Sequence, residues 1–173
     1  ARQLNLRLEA IPCKKIKHPA DNNRTIGAVS RESVVIHEED HNIPQDYIYH
    51  QIQLLRHVIH GQISKFYGAL EQPGLKNKTV ILVDDLIRTG DTMLACLRTI
   101  RKQQPGKIIV VVPAVTPEAT RAIAPEMDEI VYLTIEPTIQ AIGNLYADFP
   151  NVPDEEVISM LQQSRGALNE ITR

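Results

Sequence analysis

Apolar residues recur along the chain with two different periods, and the switches between them mark out its elements. From Pro44 onward, Ile48, Ile52, Leu55, Ile59, Ile63 and Phe66 follow one another at spacings of three or four, the single stripe of an amphipathic helix. Proline suits the first position of such a helix, Gly61 argues for an interruption inside it, and Gly68 with Pro73–Gly74 ends it. Thr79–Val83 is a continuous, largely β-branched run, which predicts a strand covered on both faces. A helix from about Thr92 to Gln104 follows, with Met93, Leu97 and Ile100 on one side and Pro105–Gly106 as its break. Lys107–Val112 and Ile130–Ile135 read as two more strands, with a short helix over Pro117–Ile123 between them. Ahead of the long helix, Leu8–Ile16 reads as a strand edged by basic residues. Ile26–Ser30 and Val34–His37 read as two short strands joined by Arg31–Glu32–Ser33. Strand, helix, strand, helix, strand with short connections predicts an α/β fold: an open, mainly parallel sheet flanked by helices. Ligands of such sheets bind beyond the carboxyl ends of the strands, which directs attention to Asp84–Thr92.

At 173 residues the chain is one domain's worth, able to bury a core without a disulfide or structural metal. With 19 basic and 21 acidic side chains, its net charge of −2 gives no reason to expect a nucleic-acid or anionic-membrane partner. The charge is uneven, however. Residues 1–31 carry Arg2, Arg7, Lys14, Lys15, Lys17, Arg24 and Arg31 against Glu9 and Asp21, a patch suited to a small anionic ligand. Cys13 and Cys96 read as solitary, without metal or redox spacing, which fits a reducing cytoplasm. The longest apolar stretch, Ile108 to Val115, is interrupted by Pro113 and too short to span a bilayer. Neither a signal peptide nor an initiator methionine is present, and the chain is expected to begin partway through a natural protein.

Asp84-Asp85-Leu86-Ile87-Arg88-Thr89-Gly90-Asp91-Thr92 joins a buried strand to a helix. A helix N-terminus offers unpaired N–H groups and a partial positive charge, a natural seat for phosphate. Gly90 lets the backbone approach closely, and the hydroxyls of Thr89 and Thr92 can donate to phosphate oxygens. Adjacent carboxylates at the strand end can accept from ribose hydroxyls or hold a divalent cation. Neither G-x-x-x-x-G-K-[ST] nor G-x-G-x-x-G occurs, so ordinary P-loop and dinucleotide readings are unsupported. Paired acids at a strand end also suit a phosphoacceptor site or a metal-dependent phosphatase, and an Asp-rich first turn is also an ordinary helix start.

The segment from Val80 to Thr92, Val-Ile-Leu-Val-Asp-Asp-Leu-Ile-Arg-Thr-Gly-Asp-Thr, closely resembles the signature of the type I phosphoribosyltransferases: four apolar residues, two acids, two apolar residues and a Thr-Gly-x-Thr loop. Lys14–Pro19 with Thr25–Val29, and Ala141–Phe149 with Asp154–Val157, are similar to a predicted phosphoribosyltransferase branch, spreading the resemblance over most of the chain. The resemblance implies transfer of phosphoribose from phosphoribosyl pyrophosphate (PRPP) to a nitrogen nucleophile, usually a nucleobase, with Mg²⁺ accompanying the pyrophosphate. It implies that Asp84 and Asp85 act on the ribose as catalytic groups and share the metal. Arg88, Thr89, Gly90, Asp91 and Thr92 would wrap the 5′-phosphate, and a small hood would come from the terminal segments. The expected partners are small molecules in the cytoplasm, and a homodimer is compatible with the family. The Thr-Gly-x-Thr continuation argues against a phosphatase.

Two departures stand out. The family normally places a strand and a pyrophosphate-binding turn ahead of this region, and Ala1–Leu6 resembles the tail of the helix after that turn. Residues 1–173 thus read as a single phosphoribosyltransferase-like domain lacking the first strand and pyrophosphate turn. Arg88 stands where the family usually has a small residue or an acid, in some purine-specific members the proposed general base. A guanidinium cannot take that role. Both departures favour an alternative: a PRPP- or nucleotide-sensing regulator without turnover.

The remaining candidates are weaker. His37-Glu38-Glu39-Asp40-His41 spells H-E-x-x-H, but it follows a strand pattern and runs into Asn42 and Pro44, so a solvated acidic loop is the better reading. Among Lys14, Lys15 and Lys17, Lys15 is the best candidate to meet a phosphate. Arg24 and Arg31 lie near a segment that relatives use as a mobile flap. His57 and His60 read as surface or core residues of the long helix. Tyr146 and Phe149 read first as packing residues and second as a stacking surface for an acceptor base. Asp154, Glu155 and Glu156 read as first-turn acids of a last helix.

Overall fold

The computed structural model describes residues 1–37, 42–68, 72–138 and 145–171, with side chains as far as Arg165. Glu38–His41, the greater part of the H-E-x-x-H run, and Ala141–Asn144 lie outside the described residues. The chain is an α/β fold whose six described strands form two sheets. Strands β1 (Cys13–His18), β2 (Asp21–Ser30) and β3 (Val34–Ile36) make an antiparallel sheet in that order. Strands β4 (Thr79–Val83), β5 (Lys107–Val115) and β6 (Glu129–Ile135) make the expected parallel one. Helix α1 (Gln45–Tyr67) lies between the sheets in sequence, α2 (Asp91–Arg101) and α3 (Pro117–Ile123) make the parallel crossovers, and α4 (Asp154–Ile171) lies against α1.

The first strand falls later than the pattern predicted. Pro12 cannot donate to a ladder, so β1 begins at Cys13. The β1–β2 hairpin instead runs out past Ile16 through two register shifts to the His18–Asp21 pair. In α1, Pro44 stands as N-cap and not as the first helical residue, and Gly61 does not interrupt the helix. That glycine is exposed and faces open space, so its cost is the modest one of a missing side chain.

Helix α2 explains the layering. Met93, Cys96, Leu97 and Ile100 pack on Leu82, Ile108, Val110 and Val112 of the parallel sheet. On its opposite side the small Ala95 meets Ala28 and Val35 of the antiparallel sheet. The Ser30 hydroxyl donates to the Ala95 carbonyl at 3.0 Å and also bonds to the Thr99 hydroxyl. Helix α2 is therefore held between two sheets, and α1 covers the far side of the antiparallel one through Ile48 and Ile59 against Ile16, Ile26 and Val29. Among the described residues, no such cover lies on the far side of the parallel sheet. Ile81, Val83, Val131, Leu133 and Ile135 are exposed there, Val83 at 67% and Leu133 at 86%. The expectation that β4 is covered on both faces is corrected. A β-branched run has the same composition whether one face or two are packed, so the pattern could not tell the cases apart.

Candidate functional site

Strand β4 delivers Asp84 and Asp85 at its carboxyl end, and the loop that follows is pinned along β5. The Asp84 amide donates to Val111 O at 3.3 Å, the Ile87 amide to Ala114 O at 3.0 Å, and the Thr116 amide to Ile87 O at 3.1 Å. Ile87 is buried and bridges Val115. Thr116 joins loop to helix: its hydroxyl donates to Arg88 O at 2.7 Å and accepts the Ala119 amide of α3 at 3.1 Å. Gly90 then turns the chain into α2 at φ 88°, and a Cβ there would sit 3.3 Å from Ile123 and 3.5 Å from the Ala119 carbonyl. Both the left-handed backbone and the space under α3 call for glycine.

This anchoring leaves donors over. The backbone amides of residues 88–93 make no hydrogen bond among the described residues, and no side chain caps α2. The Thr92 Oγ1 is buried without a partner among them. A ring of unpaired amides at a helix N-terminus with one orphaned hydroxyl is what an oxyanion would satisfy.

The two acids stand as a like-charged pair. The Asp84 carboxyl is pushed up to about 6, chiefly by burial, with the like charge of Asp85 adding to it and the Asp85 amide and the Lys15 ammonium pulling the other way. Asp84 accepts the Asp85 amide at 2.9 Å, and Asp85 accepts the Leu86 amide at 2.7 Å. A carboxylate held against burial and a neighbouring like charge invites a cation or hydroxyl donors. Among the described residues no cluster of three or more ligating side chains could hold a metal by itself. The donor set fits a Mg²⁺ taken up with a ligand's own oxygens, since that ion usually combines one or two carboxylates with phosphate and water.

A family model, phosphoribosyl transferase domain, matches residues 14–149. The chain belongs to this family. Two Mycobacterium tuberculosis proteins, from strains CDC 1551 / Oshkosh and ATCC 25618 / H37Rv and each named "putative phosphoribosyl transferase", are 23% identical to it over 171 residues. The match takes in 95% of this chain and 38% of each of theirs, so the chain spans less than two fifths of those relatives. The crystal structure of TT1426 from Thermus thermophilus superposes with a TM-score of 0.73 at 27% identity, over 94% of this chain and 78% of that one.

Within the phosphoribosyl transferase domain, the predicted site residues fall together. Asp84, Asp85 and the run from Arg88 to Thr92 are contiguous, and Lys15 of β1 is close enough to act on the Asp84 charge. Lys17 bears on another contact, its carbonyl accepting the Tyr47 hydroxyl at 2.9 Å. Arg31 reaches Gln72 and Glu32, and His57 and His60 are exposed on α1. Thr89 differs from the expectation in one respect: its hydroxyl donates to Asp91 at 2.7 Å, leaving Thr92 as the loop's uncommitted hydroxyl.

Three features escaped the sequence reading. The Tyr146 hydroxyl donates to the Asp85 carbonyl at 2.9 Å, and its ring lies 5.0 Å from that of Phe149, so the aromatic pair borders the acids. His37 Nε2 stands 2.7 Å from Asp91 Oδ1. Cys13 and Cys96 are not solitary: the neighbouring Cys96 thiol is the main influence holding Cys13 below its ordinary value, and the Cys13 thiol donates to Val29 O at 3.0 Å.

The orphaned hydroxyl gives a clean test. Thr92→Val keeps the shape, so unliganded stability should hold or rise by up to about 1 kcal/mol, because an unsatisfied buried oxygen is removed. Ribose 5-phosphate should then raise the melting temperature less than it does in the wild type. An undiminished rise in thermal melts would show that Thr92 plays no part in phosphate seating.

Proposed function

We propose that the domain binds PRPP and transfers its phosphoribosyl group, with Mg²⁺, to a nitrogenous acceptor, with a nucleobase the class that fits best. The observation that carries this reading is the juxtaposition at the end of β4: an acid pair followed directly by unpaired amides around Gly90 and an orphaned Thr92 hydroxyl. Asp84 and Asp85 accept from the ribose hydroxyls. The amides of residues 88–93 and Thr92 seat the 5′-phosphate, and Lys15 meets the pyrophosphate. Mg²⁺, when bound, neutralises pyrophosphate charge as that group departs. The bond from the ribose carbon to pyrophosphate oxygen breaks, the bond to acceptor nitrogen forms, and the proton the acceptor loses passes to solvent. Positive charge that develops on the ribose is stabilised by the two carboxylates. Tyr146 and Phe149 offer a flat surface for the acceptor beside them. Lys15 is the cation that these residues bring to the pyrophosphate. The reading assigns the reaction to nucleotide metabolism in the cytoplasm; among the described residues no helix is long and apolar enough to cross a membrane.

A second reading, a sensor that binds PRPP or a nucleotide without turnover, draws on one observation. Arg88 is exposed, and its guanidinium makes no hydrogen bond or ion pair among the described residues, so no acid stands ready as base at that position. Asp91, which could have clamped it, bonds to His37 and Thr89 instead. Arg88→Ala should therefore change the unliganded stability by under about 0.5 kcal/mol. It should weaken PRPP binding roughly tenfold if the guanidinium meets the ligand, as calorimetry would show. Pyrophosphate release from PRPP and Mg²⁺ across a panel of bases separates the readings. Acceptor-dependent release supports transfer, binding without release supports the sensor, and no PRPP binding overturns both.

A further inference from the structure

His37 leaves β3 from the antiparallel sheet, its backbone amide held by Ile26 O at 3.0 Å, and reaches a loop 54 residues further along the chain. There it meets Asp91, a carboxylate only 6% exposed at the first position of α2. A buried carboxylate must be hydrogen-bonded. Its cheapest partners at that position are the unpaired amides of its own helix N-terminus, which attract any nearby anion. Asp91 does not use them. Oδ1 accepts from His37 Nε2 and Oδ2 from the Thr89 hydroxyl, both at 2.7 Å, and the amides of residues 88–93 stay open. A carboxylate accepts only, so the imidazole nitrogen facing it is the donor.

We infer that His37 is a positioning residue for the phosphate seat: with Thr89 it holds the Asp91 carboxylate aside from the open amides, so that the anion filling them is the ligand's phosphate and not the protein's own side chain. This rests on the proposed phosphate site and adds a residue from outside the signature. It also accounts for an acid being tolerated inside an anion-binding loop, since the acid comes with a donor supplied by another sheet.

The test is a double-mutant cycle read as the dissociation constant of ribose 5-phosphate by calorimetry, at a temperature where every variant is folded. His37→Ala should weaken binding about tenfold or more in the Asp91 background, yet less than about twofold in the Asp91→Asn background, where no carboxylate competes. His37→Gln, which keeps a side-chain N–H donor, should recover most of the loss. Equal losses in both backgrounds would mean that His37 acts otherwise and overturn the inference, as would wild-type affinity in His37→Ala. If His37→Ala does not fold, Asp91→Asn with and without His37→Ala and the His37→Gln variant still decide it: a large loss in either comparison counts against it. Failure of the wild type to bind ribose 5-phosphate would overturn the phosphate site itself, and this inference with it.

Discussion

Asp84→Asn should make the unliganded protein more stable at neutral pH while cutting its affinity for PRPP ten- to hundredfold, the loss expected when a charge-assisted hydrogen bond of about 1.5–3 kcal/mol is removed. The gain in stability follows from the raised Asp84 value of about 6, caused first by burial and then by Asp85. A carboxyl whose folded value exceeds its unfolded one favours the native state at pH below the unfolded value. That advantage is lost as pH rises through the folded value, here between about 4 and 6. Above pH 6 the wild type carries an ionised, half-buried carboxylate beside another, at a cost on the order of 2 kcal/mol. Asparagine keeps the oxygen that accepts the Asp85 amide and removes the charge. The melting temperature of Asp84→Asn should exceed that of the wild type by several degrees at pH 7.5 and converge with it near pH 4. A constant offset between the two across this range would show that Asp84 is not the group responsible. The combination of stability gained and binding lost is expected of a site that keeps two like charges together for a ligand.

Among the described glycines, Gly27→Ala should be the most damaging alanine substitution. Glycine is required at this position of β2 by close approach, since a Cβ would lie 2.0 Å from the carbonyl oxygen of Val35 and 3.0 Å from its carbon. These are backbone atoms of β3, fixed by the Gly27–Ile36, Ala28–Val35 and Val29–Val34 pairs, so no side chain can rotate out of the way. Overpacking typically costs 1–3 kcal/mol, and a backbone clash belongs at or above the top of that range, so a loss of about 3 kcal/mol or more is expected. For a chain of this size that is roughly 6–12 °C in melting temperature. A second effect should accompany it. Displacing β3 moves His37, so ribose 5-phosphate binding should weaken even where the variant remains folded. Thermal unfolding that moves by less than about 2 °C would mean that β3 shifts freely and that the antiparallel sheet is not a rigid support.

The parallel half of the fold was legible because its elements are long, periodic and separated by proline and glycine breakers: Thr79–Val83, Pro105–Gly106 and Pro117 are local signals for local structure. The acid pair and the Thr-Gly-x-Thr loop were legible for the same reason, being contiguous. What escaped depends on residues brought from a distance. The second packed face of α2 is built from Ala95 and Thr99, which carry no apolar periodicity but fit because Ala28 and Ser30 opposite them are also small. His37 was read with its neighbours Glu38 and His41, whereas its partner is Asp91. Tyr146 reaches the Asp85 carbonyl across 61 positions, and Cys96 acts on Cys13 from 83 positions away. Spacing along a chain cannot report such pairs, and each of them needs the two sheets to be placed on either side of α2 first.

The side of the parallel sheet left exposed among the described residues bears on how this protein melts. Val83 and Leu133 are largely in contact with water before unfolding begins, so opening the chain hydrates little new hydrocarbon at those two positions. Hydration of apolar surface is the main source of the heat-capacity increase on unfolding, and a residue already wet in the native state contributes little to it. The share of the increment that these positions contribute should therefore fall below the roughly 12–15 cal/mol/K per residue usual for globular proteins. A smaller increment means a stability curve of lower curvature: the enthalpy of unfolding changes less between room temperature and the midpoint, and the cold limit of folding lies further from the hot one. The exposed strand face, a loss in burial, is thus a gain in the breadth of temperature over which a modest stability is held.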